Sequence, residues 1–138
     1  MNLVFNRDRD VAEWVTDKIG LVISPPYTAI GATMDGRSLC AGAVFNQWNG
    51  SSLEITLYGP GCLTRGNVSG IYHYVFVECG AQRLSATTKR SNRRMCRLLP
   101  RLGFEFEGIS KRFFGPHKQD DAMRYALFPE QALKWIRP

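Results

Sequence analysis

The sequence has no apolar run of about 18 residues, which excludes a helix long enough to cross a membrane. A secretory signal is also missing from its start: Arg7, Asp8, Arg9 and Asp10 interrupt MNLVFNRDRD where a signal needs uninterrupted apolar residues, so the expected location is the cytoplasm. Histidine is scarce, at two residues, and the four cysteines (Cys40, Cys62, Cys79, Cys96) contain no C-x-x-C pair. That composition argues against a zinc centre, and no metal is expected. Each cysteine has apolar neighbours in sequence and reads as a small core-filling thiol in a reducing compartment. No repeat, low-complexity tract or flexible linker divides the chain, and its Pro/Gly clusters are short enough to be turns. One domain over residues 1–138 is the expectation.

What the chain does carry is positive charge. Eighteen Lys and Arg stand against twelve Asp and Glu, a net +6, and the basic residues thicken between Arg83 and Arg112. A phosphate-bearing cofactor, a nucleic acid or an acidic protein surface would each satisfy that region.

Val11, Trp14, Val15 and Ile19 fall at helical spacing between Asp8 or Asp10, either able to cap, and Gly20, able to terminate. Short β-prone runs then predict three antiparallel strands at roughly 27–34, 38–47 and 52–58. The dipeptides between them, Asp35-Gly36 and Asn49-Gly50, suit type I′ turns. Residues 63–79 combine strand-forming side chains with a helical stripe (Val68, Ile71, Tyr72, Val75, Phe76, Cys79), and their length together with Gly80 favours a helix. Arg83 to Lys89 reads as a strand, followed by a helix capped by Ser91 or Asn92 and closed by Gly103. Pro100 inside that helix removes one hydrogen bond and crowds the carbonyl of Cys96, so its last turn should bend or loosen. Strands near 104–114 and 122–128 and a short helix from Pro129 to Ile136 complete the reading.

Two segments carry a resemblance. Asn92 to Gly108 (NRRMCRLLPRLGFEFEG) is similar to the N-x-x-A-x-x-x-Y-x-x-x-G-F-x-x-E-G segment of GNAT acyltransferases, and Tyr74 to Leu84 looks like the end of the preceding GNAT helix entering its strand. Asp120 to Leu127 resembles the last strand of the ribosomal-protein N-acetyltransferase branch, and Leu63-Thr64-Arg65 resembles compact GNAT proteins encoded by phages. The resemblance covers about residues 27–128. It implies an α/β (α+β) fold with a central mixed, mostly antiparallel sheet flanked by helices. By the same likeness the chain is an acyltransferase using acetyl-CoA to acetylate an amine, with a protein amine as acceptor and a homodimer as one assembly open to it. The missing apolar run leaves a membrane outside its partners, and the lack of an RNP-type aromatic signature argues against nucleic acid. A second reading is a GNAT-fold binding protein that has lost turnover.

The family's pyrophosphate loop, Q/R-x-x-G-x-G, has two placements here, Arg65 to Gly70 or Gly59 to Arg65, and the register counted from Tyr74 favours the second. Gly59 and Gly61 would let backbone approach a phosphate, Thr64 adds a hydroxyl and Arg65 a charge at a helix N-terminus. The same residues would also serve as an ordinary strand-to-helix turn. By resemblance the oxyanion donor is a backbone N–H near Leu57 and Tyr58, and Asn92 touches the coenzyme arm while also fitting as a helix cap. Glu54, a charge between Leu53 and Ile55, could accept the amine proton or simply face solvent. Leu99 occupies the position of the usual tyrosine acid and cannot donate, which leaves water, Ser91 or Tyr125 to protonate the thiolate. Arg93, Arg97 and Arg101 form a ridge that solvation alone would explain. His73 and His117 read as structural or solvated.

Overall fold

Val11, Ala12 and Val15 of α1 (Asp8–Ile19) are buried against Ala29 of β2 (Tyr27–Thr33) and Val44 of β3 (Leu39–Asn46), forming a small core on one face of the sheet. Burial of each valine contributes about 1.5–3 kcal/mol, enough to set the helix on those two strands. The computed structural model describes residues 2–59 and 63–136. Neither Asp8 nor Asp10 caps α1: the N-cap is Arg7, and Asp8 Oδ1 instead accepts the N–H of Ala29 at 2.9 Å, pinning the helix to β2.

The larger core lies on the opposite face. There α2 (Arg65–Tyr72), which runs on as a π-helix over His73–Glu78, packs Val68, Ile71, Tyr72 and Val75 onto Phe45, Leu53, Ile55 and Leu84. The same core takes Leu99 of α3 (Arg93–Arg101) and Ala132 of α4 (Pro129–Ala132). The expected helix over 63–79 is thus present, with its second half wound more loosely to accommodate the bulky run His73-Tyr74-Val75-Phe76-Val77.

With β1 (Asn2–Val4), β4 (Ser52–Tyr58), β5 (Arg83–Lys89), β6 (Glu105–Ser110) and β7 (Ala122–Leu127), the strands form a seven-stranded sheet in the order β1-β2-β3-β4-β5-β7-β6. Only β4 and β5 pair in parallel among the described residues, and every other neighbour is antiparallel. The mixed, mostly antiparallel sheet flanked by helices is the one expected from the sequence; β1 is an addition to it.

The turns depart from the sequence reading. Gly36 and Gly50 have positive φ, but Asp35 and Asn49 do not, so neither turn is type I′. Asp35 Oδ1 accepts the N–H of Arg37 and Ser38, and Asn49 Oδ1 accepts those of Ser51 and Ser52. A side chain that captures the backbone two residues on builds the turn without a left-handed first residue. The thiol reading also changes. Cys40 is disulfide-bonded, whereas Cys79 and Cys96 are free.

Candidate active site

Strand β4 stays paired with β3 to its last residue, Tyr58 opposite Gly42, but its pairing with β5 ends at Ile55 opposite Ala86. Beyond that point Thr56, Leu57 and Tyr58 diverge from Thr87, Thr88 and Lys89, and the gap between them is a cleft of about 650 Å³. Alternation along the strands sends their side chains to opposite faces. Leu57 and Ala86 face the α2 and α3 side, where Met95 and Leu99 close the floor. Thr56 and Thr87 face the α1 side, where Lys18 to Leu21 and Phe114 stand at the mouth. The cleft therefore reaches both faces of the sheet.

Four of the sequence-predicted residues meet there: Leu57, Tyr58, Gly59 and Asn92 all line the cleft. Gly59 sits at φ 91°, and a Cβ there would run into the carbonyl of Cys40 and come within 2.6 Å of the Ala41 Cα, so only glycine lets β4 leave the sheet this close to β3. The Tyr58 ring packs edge-on against Trp14 of α1, leaving its backbone to the cleft. Asn92 caps α3, its side-chain oxygen accepting the N–H of Met95 at 3.2 Å. Leu99, 1% exposed, lies at the floor.

The remaining candidates stand apart from the lining. Thr64 caps α2, accepting the N–H of Asn67, and Gly61 lies outside the described residues. The Arg65 guanidinium donates to the carbonyl of Lys134 at 2.9 Å and lies over the Trp135 ring, fastening α2 to the segment after α4. The Tyr125 hydroxyl donates to the carbonyl of Cys96, and burial, ahead of its contact with Cys96, pushes its pKa up to about 12. Glu54 is one layer below the cleft, accepting the Thr87 hydroxyl at 2.8 Å.

Thr56, Thr87, Met95 and Arg94 also line the cleft and were not anticipated. The alternation in Arg83-Leu-Ser-Ala-Thr-Thr-Lys, with small hydroxyl residues every second position, was the available signal for Thr87. Arg93, Arg97 and Arg101 are exposed on the outer face of α3, and among the described residues no ion pair involves them. His73 meets Glu78 at 3.3 Å on the surface, and His117 caps a 3₁₀ turn over Lys118–Asp120. Among the described residues no group of three His, Cys, Asp or Glu is placed to hold a metal, and no helix is long and apolar enough to cross a membrane.

The same fold is found among solved structures. A mutant form of the spermidine N-acetyltransferase SpeG from Vibrio cholerae matches with a TM-score of 0.76 at 13% identity, covering 96% of this chain and 98% of that one. The chain has the GNAT fold. A dodecameric structure of the Vibrio cholerae enzyme gives a TM-score of 0.74 at 13% identity over 96% of this chain and 95% of that one. A chimera of SpeG with hSSAT gives 0.66 at 16% over 91% and 80%. No family model matches the sequence, and no curated protein is detectably similar to it. The GNAT fold is thus established by backbone geometry.

Proposed function

We propose that this chain is an acetyl-CoA-dependent N-acetyltransferase. The observation that supports it most is the divergence of β4 from β5 after Ile55 and Ala86, which opens a passage between the two faces of the sheet. A thioester entering from the α3 side and an amine entering from the α1 side would meet beside Leu57 and Tyr58, where no β5 residue pairs with β4. A backbone N–H in that stretch would stabilise the oxyanion as the amine nitrogen bonds to the acyl carbon. The C–S bond then breaks, the nitrogen loses a proton toward Glu54 through the Thr87 hydroxyl or water, and the thiolate takes one from solvent in the cleft. Residues Gly59, Gly61, Thr64 and Arg65, which precede or open α2 in sequence, and the side chains of Asn92 and Arg94 are assigned to the phosphates and arm of acetyl-CoA. The likeness of Asp120 to Leu127 supports a protein amine as acceptor.

Calorimetric titration with acetyl-CoA, followed by detection of released thiol with a panel of amines and peptides, tests the reading. Binding with amine-dependent thiol release is expected. No binding at millimolar acetyl-CoA would remove it. Leu99 at the cleft floor favours a second reading, a GNAT-fold binding protein, identified by binding without thiol release for any acceptor. Arg65→Ala belongs in the same titration: a fall in affinity beyond the loss of its Lys134 and Trp135 contacts marks contact with phosphate.

A further inference from the structure

Two arginines project from the α1 side of the sheet where α1 does not cover it, and their surroundings differ. Arg83 is matched by a carboxylate, both its Nη atoms donating to the two oxygens of Glu107. Arg124 is held differently: its Nε donates to Ser110 Oγ at 2.6 Å, its Nη1 to Thr87 Oγ1 at 3.4 Å, and Phe113 stacks on the guanidinium at 5.0 Å. Among the described residues two of its five N–H donors are used, and no carboxylate pairs with it. A half-buried guanidinium held in place by two hydroxyls and a ring is preorganised for an anion that the described chain does not supply.

Its position gives that anion a role. The Thr87 hydroxyl, which lines the cleft, donates to Glu54 and accepts from Arg124, so the proposed proton acceptor and the unmatched guanidinium are two hydrogen bonds apart. Arg124 stands behind Thr87, and the cleft lining itself holds Lys18, Arg94 and Lys89, the last paired with Asp120 at 3.8 Å, with no acidic residue among the described ones. The second ammonium of a polycation finds no acidic lining residue to pair with among the described ones, whereas an amine with a carboxylate a few bonds away places both ends. We propose that the acceptor is an amino carboxylate, a free amino acid or an acidic N-terminal residue, and that Arg124 determines this specificity by binding the carboxylate. This rests on the acetyltransferase reading for the identity of the site as an acceptor site.

Calorimetry on the full chain without acetyl-CoA compares lysine with cadaverine and phenylalanine with phenethylamine, with spermidine as the polycation. An acidic N-terminal peptide with an amidated C-terminus separates the two sources of carboxylate. The carboxylated member of each pair should bind about 10–100-fold more tightly, the worth of a charge-assisted bidentate contact. Arg124→Gln should erase that preference, with cadaverine affinity no lower than in wild type because a like charge is removed, and Arg124→Lys, which keeps charge but loses the fork, should retain a fraction of it. In turnover the same preference should appear in KM, with kcat retained. Spermidine or the decarboxylated amines binding as tightly as their carboxylated partners, or a preference surviving in Arg124→Gln with an intact melting transition, would overturn the proposal. If Arg124→Gln fails to fold, an undiminished preference in Arg124→Lys has the same force. An Arg124-dependent preference in binding, with no thiol release for any acceptor, would instead remove the transferase reading and leave the carboxylate site standing.

Discussion

The Tyr125 hydroxyl donates across 3.4 Å to the carbonyl of Cys96, an acceptor inside α3 whose usual donor is missing because the nitrogen four residues on belongs to Pro100. A proline in a helix orphans that carbonyl, and here a side chain from β7 reaches it. The contact is long, so Tyr125→Phe should cost only about 0.5–1 kcal/mol in denaturant melts. The cost should shrink in a Pro100→Ala background, where the substituted residue supplies the missing N–H, and the double-mutant cycle measures that coupling. A hydroxyl committed to Cys96, with its pKa raised to about 12, is a poor proton source for a departing thiolate. Acetyl transfer by Tyr125→Phe should therefore stay within about threefold of wild type.

Glu54→Gln should lower kcat/KM by roughly 10²–10⁴-fold for a lysine-like amine, the usual worth of a positioned base, with acetyl-CoA affinity intact. For an α-amine, which titrates near 8, the loss should be smaller and shrink as pH rises, since more acceptor is already neutral. Thr87→Val should reproduce part of the loss and Thr87→Ser restore it, because only the hydroxyl holds the carboxylate. Superimposed pH–rate profiles for Glu54→Gln and wild type, at equal amplitude, would make Glu54 a spectator.

Gly59→Ala should destabilise the fold by more than about 2 kcal/mol in chemical denaturation, since the new methyl meets the backbone of Cys40 and Ala41 and the φ of 91° is itself unfavourable. Any folded fraction should bind acetyl-CoA more weakly, because relief of the clash moves the end of β4 into the cleft.

The Arg83 guanidinium holds the Glu107 carboxyl below its ordinary range, chiefly through their hydrogen bonds. A lowered folded pKa means the pair stabilises above the unfolded carboxyl value and loses that contribution as pH falls through the folded one. Both side chains are about a third exposed, at 37% and 34%, so the contribution at neutral pH is under about 1 kcal/mol. The stability gap between wild type and Glu107→Gln should close as pH drops below about 4 and should narrow in 1 M salt.

How much of this could be read in advance differed by segment, for physical reasons. Strands β2 to β5 and the start of α3 followed from alternation and from Asn92, whose capping contact with Met95 is local. The turn types did not, because Asp35 and Asn49 close their loops by side-chain capture, which the dipeptides alone do not distinguish from a left-handed pair. The π-helical continuation was hidden because His73 to Val77 suits a strand as well as a helix. Of the cleft lining, Leu57 to Gly59 and Asn92 were named from the resemblance. Thr87, Glu54 and Arg124 are linked through side chains from three strands, and no local pattern in sequence encodes such a triad.

The single parallel pairing has a consequence for how the molecule assembles. Strands β2, β3 and β4 form an antiparallel meander closed by short loops, and β6 pairs with β7 as a hairpin, so these pairings form early because their contacts are close in sequence. Joining them requires β5 to pair on both sides, by four residue pairs with β4 (Ser52–Ile55 against Arg83–Ala86) and by six with β7, each across about 30 residues or more of chain whose ordering precedes any gain from the join. The parallel seam is the shorter of the two, so its amide protons should exchange with solvent through a lower-energy opening than those between β2 and β3. The cleft begins where the seam ends, and a polypeptide still being made therefore has no cleft until β5 and α3 have emerged and docked.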